Sequence, residues 1–156
     1  MTGNNRKILV LLDAHAILHR AFHALPPLST KDGKLVNAVY GFTTVLMKAL
    51  KELNPAYAAV TFDLPGGTFR NELYKEYKAQ RVKQPQELYD QLPLVKEVVR
   101  AFGIPVVEKQ GFEADDVIAT LVEKLGSSAS GAPEAELPPI ETVIVTGDMD
   151  TLQLVD

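Results

Sequence analysis

Seven acids fall in four short stretches: Asp13 in "VLLDAH", Asp63 in "AVTFDL", Glu113, Asp115 and Asp116 in "GFEADDV", and Asp148 and Asp150 in "VTGDMDT". Asp13, Asp63 and Asp148 each close an apolar run, and one Asp in such a place is ordinarily a turn or capping residue. Three of them, with four more acids close behind, need a further reason. No Arg or Lys lies within "GFEADDVIA" or "VTGDMDT". Carboxylates gathered without cations raise one another's pKa and repel. Oxygen-only donors in a chain without cysteine suit a hard divalent cation, Mg²⁺ or Mn²⁺. Two such ions, roughly 3.5–4 Å apart, are the usual apparatus for in-line phosphodiester hydrolysis.

The second constellation is basic and aromatic. "TFRNELYKEYKAQRVK" holds Arg70, Lys75, Lys78, Arg81 and Lys83 against Glu72 and Glu76, with Tyr74 and Tyr77 interleaved. On a helix Lys78 and Arg81 share a face, with Lys75 beside Lys78 and Tyr77 next to them. Cations for phosphates and an aromatic for an exposed base are what a single-strand or flap site needs. A solvated helix with amphipathic tyrosines has the same composition, and it is the acidic stretches that favour the binding role. Arg20, after the first apolar run, can reach the same region. His15, His19 and His23 recur every four residues on one helix face; with no histidine elsewhere, we do not expect them to ligate metal.

These residues need a scaffold. The apolar run "KILVLLD" reads as a strand buried on both faces, and "YAAVTFD", the short "IPVVEKQ" and "ETVIVTGD" read as three further strands. Between them lie helical patterns: "AHAILHRAFHAL", stopped by Pro26; "NAVYGFTTVLMKALKEL", stopped by Pro55; "TFRNELYKEYKAQR", with Thr68 as N-cap; a single helix over "PQELYDQLPLVKEVVRAFG"; and "GFEADDVIATLVEKL". "STKDGKL" is a polar loop, and residues 127–139, "SSASGAPEAELPP", a flexible surface loop. Strands alternating with helices predict an α/β fold, a parallel twisted sheet with helices on both faces in three layers. In such sheets ligands bind beyond the carboxyl ends of the strands, where Asp13, Asp63 and Asp148 fall.

The phase of the fifth helix separates its acids. If it is regular from its first residue, Asp115 and Glu113 flank the apolar stripe Val117, Ile118, Leu121, Val122 and Leu125, while Asp116 points nearly opposite. Complementing the helix dipole accounts for Asp116 alone, at about 0.3–1 kcal/mol. It accounts poorly for Glu113 and Asp115 beside a buried stripe.

Length and composition suit one globular domain: 156 residues, 46% hydrophobic and 23% charged. The apolar run near the start is five residues, too short for a signal peptide or a membrane span, so we expect a cytoplasmic protein. Net charge is −4, which argues against a simple basic coat for nucleic acid, but an acidic metal rim and a local phosphate clamp can coexist.

The ordered motifs "LLDAHAILHRAFHALPPL", "AAVTFD", "TFRNELYKEYKAQR", "GFEADDVIATL" and "VTGDMDTLQLV" resemble the 5′-nuclease domain at the N-terminus of bacterial DNA polymerase I. That domain belongs to the flap-endonuclease and 5′–3′ exonuclease superfamily, with a PIN-like sheet, and the likeness runs from about Lys7 to the last residue. It implies Asp13, Asp63, Glu113 and Asp115 around a first metal ion. It implies Asp148 and Asp150 at a second, with Asp116 in the outer part of the cluster. Lys78 and Arg81 match a basic pair that reaches the scissile phosphate, Tyr77 an aromatic that stacks near it, and Arg20 a substrate-contacting arginine; Arg70 and Lys75 join the DNA-binding set.

The implied activity is metal-dependent cleavage of DNA bearing a 5′ end or flap, in replication and repair, by a nucleoid-associated monomer continuous with a polymerase domain. The chain departs from the family pattern in a longer 127–139 loop and in stopping after "GDMD". We therefore expect residues 1–156 to be the N-terminal part of the domain, without the helix–hairpin–helix region that follows in the family. Two other classes fit less or differently. A haloacid-dehalogenase-type phosphatase needs D-x-D-x-T/V, and Thr151 comes one position early. A DNA-binding module that keeps the fold without turnover is separated from a nuclease by cleavage of a labelled flap.

Overall fold

A computed structural model of the chain describes residues 7–77, 83–126 and 140–154. Four strands pair in parallel in the order β3-β2-β1-β4: β1 (Lys7–Asp13), β2 (Tyr57–Thr61), β3 (Val106–Val107) and β4 (Ile140–Val145). Alternation along β1 divides the core. Val10 and Leu12 pack with α1 (Ala14–Ala24), α2 (Asn37–Leu53) and α5 (Leu92–Ala101) through Leu18, Phe42, Leu46, Val95 and Val99. Leu9 and Leu11 face the other way, onto Ile118 of α6 (Ala114–Gly126). Helices thus cover both faces, and the expected three-layer α/β architecture holds. No described helix is long and apolar enough to cross a membrane.

The sheet order puts the topological switch between β1 and β4. The chain leaves β1 toward β2 and β3, then returns through α6 to pair β4 on β1's other side. A crevice opens at such a point beyond the strand ends, and there Asp13 and the residues after β4 meet.

The helices α1 and α2 cross closely because Gly41 has no side chain. A Cβ there would stand 2.5 Å from Ala21 Cβ and 2.9 Å from Leu25 Cδ1. The expected single helix over 85–103 is two: α4 (Gln86–Tyr89) and α5, which begins one residue before Pro93. Proline lacks the N–H for the helical ladder and its ring clashes with the carbonyl four residues back. The break is also used. Gln91, 1% exposed, turns its amide into the core, where Oε1 accepts from Ala38 N–H at 2.9 Å and Val39 N–H at 3.2 Å. Its Nε2 donates to Asn37 Oδ1 and Glu87 O. Gln91 therefore satisfies the N-terminus of α2, which has no side-chain cap of its own. Gln91→Leu leaves those buried donors without partners, and we expect it to lower the unfolding free energy by about 2–3 kcal/mol in urea denaturation.

Three further segments differ from expectation. The second strand ends at Thr61, so Asp63 lies two residues beyond it. The fourth strand ends at Val145, so Asp148 lies three residues beyond it, and the described residues close on a 3-10 helix, Met149–Leu154. Of the basic helix expected over 68–81, the described residues, which run to 77, form only α3, Phe69–Leu73. Asn71 Oδ1 accepts from Thr68 N–H and its Nδ2 donates to Tyr77 O, while Tyr74 is extended and 75–77 form a turn. Exposed Lys75 thus sits in a turn, and the shared-face argument does not apply to it. The 127–139 loop lies outside the described residues.

Candidate metal and phosphodiester site

Asp13 is both the last residue of β1 and the N-cap of α1. Its Oδ1 accepts from Ala16 N–H at 3.1 Å and its Oδ2 from Thr146 Oγ1 at 3.1 Å. Thr146, just past β4, in turn accepts from Asp148 N–H at 3.0 Å. One hydrogen-bonded line therefore joins the ends of β1 and β4. Gly147 keeps the passage narrow, since a Cβ there would stand 3.3 Å from Ala16 O. Asp13 is 5% exposed. Burial pushes its carboxyl pKa upward, against the Ala16 and Thr146 hydrogen bonds, and the nearby Asp63 charge adds to the rise.

Asp63 is bound from both sides. Its Oδ1 accepts from Ala114 N–H at 2.6 Å, the first residue of α6. Its own N–H donates to His15 Nδ1 at 3.1 Å. That bond leaves the imidazole proton on Nε2 and makes the 3.6 Å approach of Nδ1 to Asp63 Oδ2 something other than an ion pair. Burial lowers the His15 pKa despite the attraction of Asp63 and Asp13, so the ring is neutral at physiological pH. Sequence reasoning assigned His15 no part. Its position two residues after Asp13 was a usable signal, but not one that identified Asp63 as its partner.

Glu113 lies outside the helix and caps it: its carbonyl accepts from Asp116 N–H at 3.1 Å and Val117 N–H at 3.2 Å. The phase argument for Glu113 thus fails, because that residue is not helical. Asp116 does not point to solvent. Its Oδ2 accepts from Glu113 N–H at 3.0 Å, the half of a capping box in which the N3 side chain reaches back to the N-cap backbone. Arg70 donates to it bidentately, Nη2 to Oδ1 at 2.6 Å and Nη1 to Oδ2 at 2.7 Å. The guanidinium is also 3.5 Å from Glu113 Oε2 and lies 4.7 Å from the Phe69 ring. Tyr77 Oη donates to Glu113 Oε2 at 3.3 Å. The Asp116 hydrogen bond raises the Arg70 pKa above its ordinary value. A cation absent from the local sequence thus reaches the acids from 46 residues away.

Asp13 is joined to Asp148 through Thr146, and Asp63 is tied to the N-terminus of α6 and lies near enough for its charge to act on Asp13. Asp115 is half-buried in the first turn of α6. Asp150 falls on the closing 3-10 helix, and its side chain lies outside the described set. Lys78 and Arg81 are outside the described residues. Arg20 is exposed on α1. Among the described residues, no three His, Asp or Glu side chains make a ready-made cage. The donor chemistry nonetheless fits a magnesium-like ion, which commonly takes one or two carboxylates and keeps several waters.

The family model for the 5′-3′ exonuclease N-terminal resolvase-like domain matches residues 8–156. The chain is 45% identical over 148 residues to a DNA polymerase I of Caldicellulosiruptor bescii, covering 95% of this chain and 16% of that protein. It is 42% identical to a 5′-3′ exonuclease of Aquifex aeolicus, covering 96% of this chain and 48% of the relative. The chain thus spans less than half the length of these relatives. Among solved structures, the T5 D15 protein co-crystallized with metal ions superposes with a TM-score of 0.72 at 17% identity, over 96% of this chain and 52% of that one. A T5 D15 flap endonuclease in a pseudo-enzyme–product complex with DNA and metal ions gives 0.58 at 19% identity, over 78% of this chain and 45% of that one.

Proposed function

Because the chain belongs to the 5′-3′ exonuclease N-terminal domain family, we propose that it forms the catalytic rim of a divalent-metal-dependent 5′–3′ exonuclease or 5′-flap endonuclease acting on DNA. The observation that carries this is the hydrogen-bonded line from Asp13 through Thr146 to Asp148 at the carboxyl ends of a parallel sheet, with Asp63 tied to the acidic start of α6. Asp13, Asp63, Glu113, Asp115, Asp148 and Asp150 would hold Mg²⁺ or Mn²⁺. The ions, when bound, supply a nucleophilic water and offset charge at the scissile phosphate.

The chain's own residues do the positioning. Thr146 and Ala16 fix both oxygens of Asp13. Ala114 N–H and His15 fix Asp63 by side chain and backbone. In the sequence Lys78 is the residue after Tyr77 and Arg81 comes three later, and the Tyr77 hydroxyl is tied to Glu113. That placement supports a role for the pair in contacting the phosphate, where cations offset developing charge. Tyr77 and Arg20 belong to the same DNA surface, with exposed Lys75 nearby in sequence. The wider assignment is a monomeric part of a DNA polymerase I-type protein working on chromosomal DNA in the cytoplasm.

The test is a 5′-labelled flap duplex incubated with the protein. We expect short 5′ products with Mg²⁺ or Mn²⁺, none with EDTA, and none from Asp115→Ala. Flap binding with no cleavage under either ion would instead identify a binding module.

A further inference from the structure

We propose that Arg70 and Asp116 form a positioning strut, which ties the segment entering residues 78–82 to the N-terminus of α6 and so sets Glu113, while Asp116 is not itself a metal ligand. The proposal rests on the nuclease assignment for its catalytic consequence, but its geometry is independent of it.

Asp116 is heavily engaged. A carboxylate offers about four acceptor positions. At least three are taken here: Oδ1 by Arg70 Nη2, and Oδ2 by Arg70 Nη1 and Glu113 N–H. The two guanidinium bonds, at 2.6 and 2.7 Å, are the planar bidentate match of arginine to carboxylate. Both partners are partly shielded, with side-chain exposures of 32% and 19%. An ion drawing on Asp116 would have to share a carboxylate already committed to a guanidinium and a helix N-terminus.

Arg70 is fixed in turn. Its guanidinium lies over Phe69 and 6.0 Å from the Tyr77 ring centroid, and Phe69 packs against Phe112 at 5.6 Å. Glu113 receives the result: its N–H is held by Asp116, its carboxylate is 3.5 Å from Arg70, and Tyr77 donates to it. One ion pair therefore holds α3, the turn at 75–77 and the cap of α6 as a unit. Lysine cannot replace Arg70, because it lacks the two-pronged donor.

The experiment is a double-mutant cycle with Arg70→Met, Asp116→Asn and both together. It is read by flap cleavage at saturating Mg²⁺ and DNA, by Mn²⁺ affinity, and by amide exchange. Supporting mutations around a metal site cost about 10- to 100-fold. A strut predicts that each single variant loses cleavage by a similar factor in that range and that the double loses no more than either. It also predicts that kcat falls while KM for the flap is kept, and that Arg70→Lys behaves like Arg70→Met. Mn²⁺ affinity should change equally in both single variants. Asp116→Asn weakening Mn²⁺ binding well beyond Arg70→Met, or losses that multiply in the double, overturns the proposal. A wild-type protein that neither binds Mn²⁺ nor cleaves overturns the nuclease assignment instead. Amide exchange at 69–77 and 113–116 then still decides the strut: faster exchange in both variants supports it, and unchanged exchange overturns it.

Discussion

Asp13→Asn is expected to abolish cleavage and, in metal-free buffer at neutral pH, to make the fold more stable. The first effect follows from the place of Asp13 between the ends of β1 and β4, where losing one carboxylate removes charge from the proposed ion site. Metal assistance supplies several kcal/mol, so a loss of at least about a thousandfold is expected in single-turnover cleavage. The second effect follows from burial. Asp13 is 5% exposed and its pKa in the fold is raised from 3.8, first by desolvation and further by Asp63. Below 3.8 the carboxyl is neutral in both folded and unfolded chains, and its contribution to stability is fully present. As pH rises through the raised folded value, the interior must hold a charge that the unfolded chain leaves in water, and that contribution is lost.

Asparagine keeps the α1 cap, since its carbonyl accepts from Ala16 N–H, and its amide can donate to Thr146 Oγ1. The variant should therefore gain about 1 kcal/mol over the parent above that titration, the ordinary size of such a gain at a strained site. The two proteins should converge as pH falls toward 3.8. Urea denaturation in EDTA from pH 4 to 8 measures this. A variant less stable than the parent at every pH would place the cost of Asp13 elsewhere than in its charge.

Divalent ions should raise the melting temperature of the parent and leave Asp13→Asn nearly unchanged. An ion present at about 100 times its dissociation constant adds about 2.7 kcal/mol if it binds only the folded state. The rim explains why the fold should respond. Burial and Asp63 already oppose the Asp13 charge, and relieving that opposition is a differential gain of the folded state. Thermal scans with Mg²⁺, Mn²⁺ and EDTA are sufficient. A parent whose melting temperature is the same in all three would remove the support for a preformed cation site.

Much of this was legible in the sequence, for local reasons. Continuous apolar runs such as "KILVLLD" specify strands buried on both faces, and their alternation with helical patterns specifies a parallel sheet. Once the strands are parallel, their carboxyl ends lie along one edge of the sheet, so Asp13, Asp63 and Asp148, at or just beyond strand ends, fall on that side. The breaks were less legible. Pro93 was present to be read, but that Gln91 beside it fills the N-terminus of α2 depends on packing between distant segments. The length of α3 depends on Asn71 and Tyr77 being held, not on the helical propensity of "RNELYKEYK".

The sequence by itself determined which carboxylates lie on the strand rim, because strand ends and helix starts follow from nearest neighbours in the chain. Only the tertiary structure decided what balances them. His15 meets the Asp63 backbone across 48 residues and Arg70 meets Asp116 across 46. Electrostatic partners are chosen by distance in space, and a local stretch that contains no cation says nothing of one delivered by another element.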